Sequence, residues 1–334
     1  MDPCVSGHPR WFTIPRGRDR GNVMFYTDEL VGREEGNLRT LILVHGNPEC
    51  SCIFNPLIRV LLNRTLPRTR LITFDHVGFG RSGLATRPMS PADHAANFAH
   101  LLESLSPRAV TLVVHDWGGP IALGAFLDHP ESLRSLVILN SGIFPLRRGC
   151  NYRNHPFPVL SWKNLGALVP DRYWGHFAAG AIACRATGRV DLLRKLLCPP
   201  RTQPQAAGLF NPYYRQFAAR GNACSSKHLA RLTGQWCEAG DRSEPELNAF
   251  YLRLQAGVGK CWGLTGTAIQ ARLLCGQWDP LGDEENARRW LQALPQLEDQ
   301  MVFFSGAGHF LPESHPREIA HTIYELLTAP GGEG

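Results

Sequence analysis

Short apolar runs alternate with amphipathic, helix-like segments along most of the chain, and this alternation limits the possible folds more than any other feature. Continuous apolar runs of four or five residues are typical of strands that are buried on both faces of a parallel sheet. The runs are Val23–Tyr26, Leu41–Val44, Leu71–Phe74, Thr111–Val114, Leu136–Leu139, Ala271–Cys275 and Met301–Phe304.

Helical periodicity fills the intervals between these runs. After the third run, Ser90 is the predicted cap of a helix and Pro91 its first residue. A last amphipathic segment begins near Pro316. The order of β and α segments predicts an α/β fold with a doubly wound, mostly parallel sheet.

The alternation stops between about residues 142 and 245, where helical patches are separated by Pro-rich and Arg-rich connectors. We interpret this stretch as a helical cap inserted into an α/β core. The predicted organisation is therefore a first part of the core at 1–141, a cap at 142–245 and a second part of the core at 246–334. The helical patches are Trp174–Ala183, Val190–Leu197 and Lys227–Leu232.

Composition excludes several other classes of protein. Of the 334 residues, 43% are apolar and 19% charged, too apolar a balance for an intrinsically disordered chain. A net charge of +6 is too small for the basic patch of a nucleic-acid-binding protein. The sequence lacks both a membrane-spanning apolar stretch and an apolar secretory signal at its N-terminus, so we expect a soluble cytoplasmic protein.

The ten cysteines do not indicate a metal site or a disulfide framework. They contain no CxxC pair, which argues against zinc, and the absence of a secretory signal argues against disulfides. We expect most of them to be small buried residues.

The strongest chemical signal is the sequence LVVHDWGGPIAL at 112–123, in which Asp116 lies between an apolar strand and a glycine-rich helix start. This is the context of a nucleophile elbow, with Asp in the position that Ser occupies in the G-x-S-x-G motif. The backbone N–H of Trp117 would then stabilise negative charge at a helix N-terminus. The alternative interpretation of Asp116 is a simple helix cap.

Four further segments lie at the same predicted sheet edge. The turn at His45–Pro48 could supply a second oxyanion N–H, from Asn47, although a Gly-Asn-Pro turn has no need of that role. Asp279 could orient the catalytic His309, although an Asp-Pro turn and a structural histidine are the alternatives. Ser82 follows another strand, but nothing places it on an elbow, so we interpret it as structural.

The order nucleophile, acid, histidine is that of the α/β-hydrolase fold. From about residue 20 to 325 the chain resembles the haloalkane dehalogenases. The resemblance is carried by His45-Gly46-Asn47-Pro48, His115-Asp116-Trp117-Gly118-Gly119, Trp278-Asp279-Pro280 and Gly308-His309-Phe310. It implies an eight-stranded, mostly parallel sheet with an inserted helical cap, and side chains of Asn47 and Trp117 that hold the departing halide.

The implied reaction is hydrolysis of a carbon–halogen bond in a small apolar substrate, giving an alcohol and a halide ion. Asp116 would form an alkyl ester, and His309, oriented by Asp279, would activate the water that cleaves it. The oxyanion would lie on the backbone N–H groups of Asn47 and Trp117. No metal or organic cofactor is required.

The sequence departs from the family in ways that leave the substrate open. Glu49 follows the HGNP turn, where small hydroxyl residues are more usual, and the cap is rich in Arg and Cys. An epoxide hydrolase shares the Asp nucleophile and would need cap tyrosines as proton donors. A luciferase-like oxygenase and a non-enzymatic ligand-binding protein on a hydrolase scaffold are further alternatives. The candidate cap tyrosines are Tyr152, Tyr173, Tyr213 and Tyr214.

Overall fold

The computed structural model of the protein describes residues 7–145, 166, 168–171, 173–174, 220–233, 245–277 and 279–329. Most of the predicted cap, the helical patch Val190–Leu197 and Trp278 lie outside these residues, so the cap boundaries stay a prediction. Among the described residues, no helix combines the length and the hydrophobicity that a membrane span requires.

Eight strands form one sheet in the order β1-β2-β4-β3-β5-β6-β7-β8. From β4 to β8 all neighbours are parallel, whereas β2 runs antiparallel to both β1 and β4. The predicted mostly parallel, eight-stranded sheet is thereby confirmed. The strands are Pro9–Thr13 (β1), Val23–Val31 (β2), Arg39–Val44 (β3), Thr69–Phe74 (β4), Val110–His115 (β5), Leu133–Leu139 (β6), Gln270–Gly276 (β7) and Met301–Phe304 (β8).

Helices cover both faces of this sheet, and the alternation of side chains along each central strand divides the core into two layers. On β3, Ile42 and Val44 belong to one buried cluster, while Leu41 and Leu43 belong to the other. This is why the central strands are continuous apolar runs. The helices are Asn55–Leu62 (α1), Pro91–Leu105 (α2), Gly118–Phe126 (α3), Arg220–Thr233 (α4), Pro245–Trp262 (α5), Glu284–Ala293 (α6), Leu311–Ser314 (α7) and Pro316–Thr328 (α8).

The start of α2 confirms the cap that the sequence predicts. The hydroxyl of Ser90 accepts the backbone N–H of Asp93 at 3.3 Å, and the Asp93 carboxylate accepts the backbone N–H of Ser90 at 2.8 Å. Pro91 occupies the first helical position, where its missing N–H is not needed. These local bonds fix where the helix begins.

The sequence analysis missed one strand. Pro9–Thr13 forms β1 at the edge of the sheet, paired to β2 with Trp11 opposite Phe25. Its residues are mostly exposed, so it lacks the continuous apolar character that identified the buried strands. Ser82 is structural as expected, because its hydroxyl donates to the backbone carbonyl of Asp75 at 2.6 Å and accepts the N–H of Phe25 at 2.8 Å.

Candidate active site

Asp116 lies on a tight turn between β5, which ends at His115, and α3, which begins at Gly118. Its φ angle is +50°, a left-handed conformation that costs a non-glycine residue about 1–3 kcal/mol. A Cβ on Gly118 would lie only 2.3 Å from the carbonyl oxygen of Val44, so a glycine is needed there for the helix to pack against β3. The turn is therefore the strained elbow that the sequence predicts.

The loop after β3 brings backbone donors to the Asp116 carboxylate. The N–H of Asn47 donates to Oδ2 of Asp116 at 2.8 Å. A Cβ on Gly46 would lie 2.4 Å from that oxygen and 2.7 Å from the backbone nitrogen of Trp117. Oδ2 of Asp116 therefore lies close to both predicted oxyanion donors, the N–H groups of Asn47 and Trp117. Position 46 must be glycine because a Cβ there would occupy the space between them.

The predicted acid and histidine meet Asp116 at the same edge of the sheet. Nδ1 of His309 is hydrogen-bonded to Oδ2 of Asp279, and Nε2 of His309 lies 3.6 Å from Oδ1 of Asp116. Oδ1 of Asp279 accepts the N–H of Leu281 at 2.7 Å, which orients the carboxylate toward the imidazole. The structure thus brings together the three residues that the sequence predicts to form a catalytic triad.

The two predicted halide donors lie next to this triad. The side-chain amide of Asn47 donates one N–H to the carbonyl of Ser226 on α4 at 3.2 Å. An amide nitrogen carries two hydrogens, so this bond leaves a second donor for an anion. Trp117 is buried at the start of α3, with 7% of its surface exposed. Helix α4 therefore sets the direction of the Asn47 side chain.

Glu49 is a site residue whose role the sequence analysis did not identify. It is fully buried, and its Oε2 is bonded to Nδ1 of His115 at 2.8 Å and to the N–H of Gly46 at 3.2 Å. Its other oxygen, Oε1, lies 3.7 Å from Nε2 of His309. The signal was present, since a charged residue follows the HGNP turn, but the sequence alone does not show the direction of its side chain.

Asn140 and Ser141, directly after β6, form hydrogen bonds to the backbone of the site. The sequence analysis did not identify either of them. The Asn140 amide donates to the carbonyl of His309 at 2.7 Å, and its Oδ1 accepts the N–H of Gly276 at 2.8 Å. The Ser141 hydroxyl donates to the carbonyl of Asp116 at 2.6 Å. Two polar residues directly after a buried strand were the available signal, because this strand ends at the same edge.

The pKa values of the nucleophile and of the histidine are both raised, the first mainly by burial and the second by neighbouring carboxylates. Burial raises the pKa of Asp116 to about 6; the charge of Glu49 adds to this and that of His309 opposes it. Burial would lower the pKa of His309, but the charge and hydrogen bond of Asp279, with the charges of Asp116 and Glu49, raise it to about 10. At neutral pH an ionised Asp116 therefore faces an imidazolium.

A buried tyrosine on α5 lies near enough to Asp116 to be affected by its charge. Burial and the Asp116 charge raise the pKa of the Tyr251 hydroxyl well above its usual range. Tyr251 was not among the tyrosines that the sequence suggested as proton donors. Of those, Tyr173 is 49% exposed, and the other three lie outside the described residues.

One group of described residues has the ligand types of a metal site. Side-chain atoms of Glu49, His115 and His309 lie within 4.8 Å of one another. Both ring nitrogens of His115 are already engaged, with Glu49 and with the carbonyl of His309, each at 2.8 Å. A metal ion would have to break these bonds, so the arrangement fits a hydrogen-bonded network better than a metal centre.

Comparison with known protein families agrees with the observed fold. The family model described as alpha/beta hydrolase fold matches residues 39–316, well over half of the chain. The chain belongs to the alpha/beta hydrolase fold family. Its relatives in this family catalyse different reactions, as the next two examples show, so membership alone does not assign a substrate.

Two curated relatives match nearly the whole chain. A haloalkane dehalogenase 2 of Mycobacterium bovis is 29% identical over 330 residues, covering 95% of this chain and 93% of that protein. A cis-3-alkyl-4-alkyloxetan-2-one decarboxylase of Shewanella oneidensis is 24% identical over 319 residues, covering 92% of this chain and 86% of that protein. The chain is therefore related both to a dehalogenase and to a decarboxylase.

Solved structures agree on the fold. The haloalkane dehalogenase DpaA of Paraglaciecola agarilytica superposes with a TM-score of 0.67 at 19% identity, covering 96% of this chain and 93% of that one. A bromoperoxidase of Bacillus anthracis gives 0.65 at 16% identity, with 96% and 99% coverage. At these identities the likeness supports the shared fold and no particular reaction.

Proposed function

We propose that this protein is a hydrolase that cleaves carbon–halogen bonds of small apolar haloalkanes through a covalent ester on Asp116. The observation that carries the proposal is a carboxylate at the elbow, with Oδ2 held by the N–H of Asn47 and Oδ1 3.6 Å from Nε2 of His309. A carboxylate at this position can displace a leaving group from saturated carbon. The similarity to a haloalkane dehalogenase 2 supports the same reaction.

In the first step, Oδ1 of Asp116 attacks the carbon that bears the halogen. The C–O bond forms as the carbon–halogen bond breaks, and the electron pair leaves with the halide. The second N–H of the Asn47 amide and the indole N–H of Trp117 stabilise the departing ion in a buried pocket. The ester that results is neutral.

In the second step, His309 first loses its proton to solvent, and the neutral imidazole then takes a proton from the water whose oxygen attacks the ester carbon of Asp116. Alkylation has removed the Asp116 charge, which is one of the causes that raise the pKa of His309, so the imidazolium releases its proton more readily. The developing oxyanion lies on Oδ2, at the N–H groups of Asn47 and Trp117. Collapse of this intermediate breaks the bond between the ester carbon and Oδ1, and the imidazolium of His309 gives its proton to the departing alkoxide, so the alcohol leaves. The proton of the new Asp116 carboxyl group then passes to His309, which restores the carboxylate beside an imidazolium.

A second candidate is decarboxylation of a four-membered lactone, favoured by the match to an oxetan-2-one decarboxylase over 92% of the chain. Asp116 would attack the saturated ring carbon that is bonded to the ring oxygen. The bond between that carbon and the ring oxygen would break, leaving a carboxylate on the substrate, which stays attached to Asp116. Loss of CO₂ would then form an alkene and expel the Asp116 carboxylate. This sequence consumes no water, so it does not need His309 as a base.

The two reactions are separated by the variant His309→Ala. Incubated with 1-bromobutane, the variant should release one equivalent of bromide and carry a butyl group on the peptide that contains Asp116, as measured by mass spectrometry. Wild type should release bromide continuously and show no adduct at the end of the reaction. With a cis-3,4-dialkyl oxetan-2-one, sustained alkene formation by His309→Ala would instead favour the decarboxylase.

Control variants make each outcome interpretable. His321→Ala changes a histidine on α8 that is 62% exposed, and it should behave as wild type. Asp116→Asn should form no adduct. Diol formation from 1,2-epoxyhexane without bromide release would move the assignment to epoxide hydrolysis, and ligand stabilisation with no turnover of any substrate would indicate a binding protein.

A further inference from the structure

A concave site lies beside the amino ends of β3 and β4, at the opposite end of the strands from Asp116. Its volume is about 430 Å³, and its walls include three arginines, an asparagine, a threonine and a tyrosine. These residues are Arg33, Arg39, Arg68, Asn37, Thr65 and Tyr324. The carboxyl ends of the parallel strands carry the active site, so nothing in the proposed reaction uses this cavity.

The fold itself brings the arginines together. In the parallel pairing of β3 with β4, Arg39 lies opposite Thr69, and the N–H of Arg39 donates to the carbonyl of Arg68 at 2.9 Å. The N–H of Arg33 donates to the carbonyl of Leu66 at 3.0 Å. Backbone bonds therefore hold all three positions around one cavity, whatever their side chains do.

These three arginines form no ion pair with a carboxylate in the part of the chain that the structure describes. Arg70, two residues beyond Arg68, makes a two-point ion pair with Asp28, with distances of 2.8 and 2.6 Å. By contrast, Arg33, Arg39 and Arg68 make no ion pair with any described residue, although the exposed Glu35 lies on the cavity wall. Nε of Arg68 is buried and has no hydrogen-bond partner among the described residues.

A fourth arginine increases the positive potential. Arg134 and Arg39 both donate to the carbonyl oxygen of Ala329, at 3.0 and 3.5 Å. Burial and the neighbouring Arg39 charge lower the pKa of Arg134. Such crowding of like charges is unfavourable in an empty site and becomes favourable when an anion neutralises it.

We propose that this cavity is a binding site for a small phosphate-bearing molecule, separate from the active site. Guanidinium groups present paired N–H donors that match phosphate oxygens, and Asn37, Thr65 and Tyr324 add neutral donors or acceptors on the same walls. The cavity is large enough for more than one phosphate group. It therefore fits pyrophosphate or a nucleoside diphosphate better than a single inorganic phosphate ion.

The test uses thermal unfolding of the full chain with pyrophosphate or ADP, at constant ionic strength set with NaCl. Binding to the folded state stabilises it in proportion to the logarithm of ligand concentration above Kd, so Tm should rise with each tenfold increase in ligand. The rise should disappear in Arg68→Gln and shrink in Arg33→Gln. It should persist in Arg288→Gln, which changes an exposed arginine on α6.

The proposal fails if wild type shows no shift, or if Arg68→Gln and Arg33→Gln shift as wild type does. If Arg68→Gln does not fold, Arg33→Gln decides the result, because the Arg33 side chain is exposed and its backbone bond survives the change. Isothermal titration of pyrophosphate into wild type and Arg33→Gln measures the same difference without unfolding, and at least a fivefold weaker Kd in the variant is expected. Bromide release is not part of the readout, so this result stands apart from the proposed reaction.

Discussion

His94 makes the stability of this protein depend on pH in a way that can be calculated. It lies on α2 with 1% of its surface exposed, and its ring centre is 5.3 Å from that of His76 and 6.0 Å from that of Phe79. Burial lowers the pKa of His94 to about 3, far below the usual value of about 6.5. The folded protein therefore keeps this imidazole neutral over the whole physiological range.

The sign follows from which state binds the proton. Well above pH 6.5 the side chain is neutral in both the folded and unfolded states, so it has no effect on stability. As pH falls below about 6.5, only the unfolded chain takes up a proton, and the free energy of unfolding decreases until about pH 3. Between about pH 7 and pH 5 the loss from this one residue is about 2 kcal/mol, a large share of a typical total of 5–15 kcal/mol.

The variant His94→Leu removes the titrating group and keeps a side chain of similar size. Urea unfolding at pH 7 and at pH 5 gives, for each protein, the decrease in the free energy of unfolding between the two pH values. This decrease should be about 2 kcal/mol larger in wild type than in the variant. Histidines that do not interact with His94 contribute equally to both proteins and cancel in this comparison. His321→Leu, at an exposed position, should retain the wild-type pH dependence. Equal losses in wild type and His94→Leu would refute the reasoning.

Three further predictions concern the site and the helix caps. The rate of bromide release in a single turnover should rise with pH around pH 6, where Asp116 ionises. Glu49→Gln should lower the midpoint of this rise, because the Glu49 charge raises the pKa of Asp116. An unchanged or higher midpoint in the variant would contradict this. Gly46→Ala should abolish ester formation while the protein stays folded by circular dichroism, since its Cβ would lie 2.4 Å from Oδ2 of Asp116; normal adduct formation would show that the loop can move. Ser90→Ala should reduce the free energy of unfolding, measured with urea, by about 1 kcal/mol, because it removes the α2 cap. Ser104→Ala, at an exposed position of the same helix, should change that free energy little. A stability loss of equal size in both serine variants would mean that the cap bonds contribute nothing specific.

The relation between Glu49 and the proposed reaction shows where inference from sequence ends. Burial raises the pKa of Glu49, but the charge and hydrogen bond of His115 and the charge of His309 outweigh this and lower it. Three carboxyl groups, on Glu49, Asp116 and Asp279, therefore lie around the imidazole of His309. An additional carboxyl group near His309, the residue proposed to activate water, is a property of the assembled site, and no motif in the sequence encodes it.

The sequence by itself predicted seven of the eight strands and most of the helices between them, and it selected Asp116, His309 and Asp279 as candidate site residues, which the structure brings together. These inferences succeed because burial on both faces of a sheet imposes continuous apolar runs, and because parallel strands deliver their carboxyl ends to a common edge. Residues directly after such strands can be assigned to one site from chain order alone.

Only the tertiary structure decided which other side chains belong to that site and what lies elsewhere in the molecule. The direction of Glu49, the bonds of Asn140 to the His309 loop and the convergence of Arg33, Arg39 and Arg68 all depend on how distant segments pack. The edge strand β1 likewise depends on pairing with β2, since its own residues are mostly exposed. Contacts between residues far apart in sequence leave no local period or motif, so they appear only once the chain has folded.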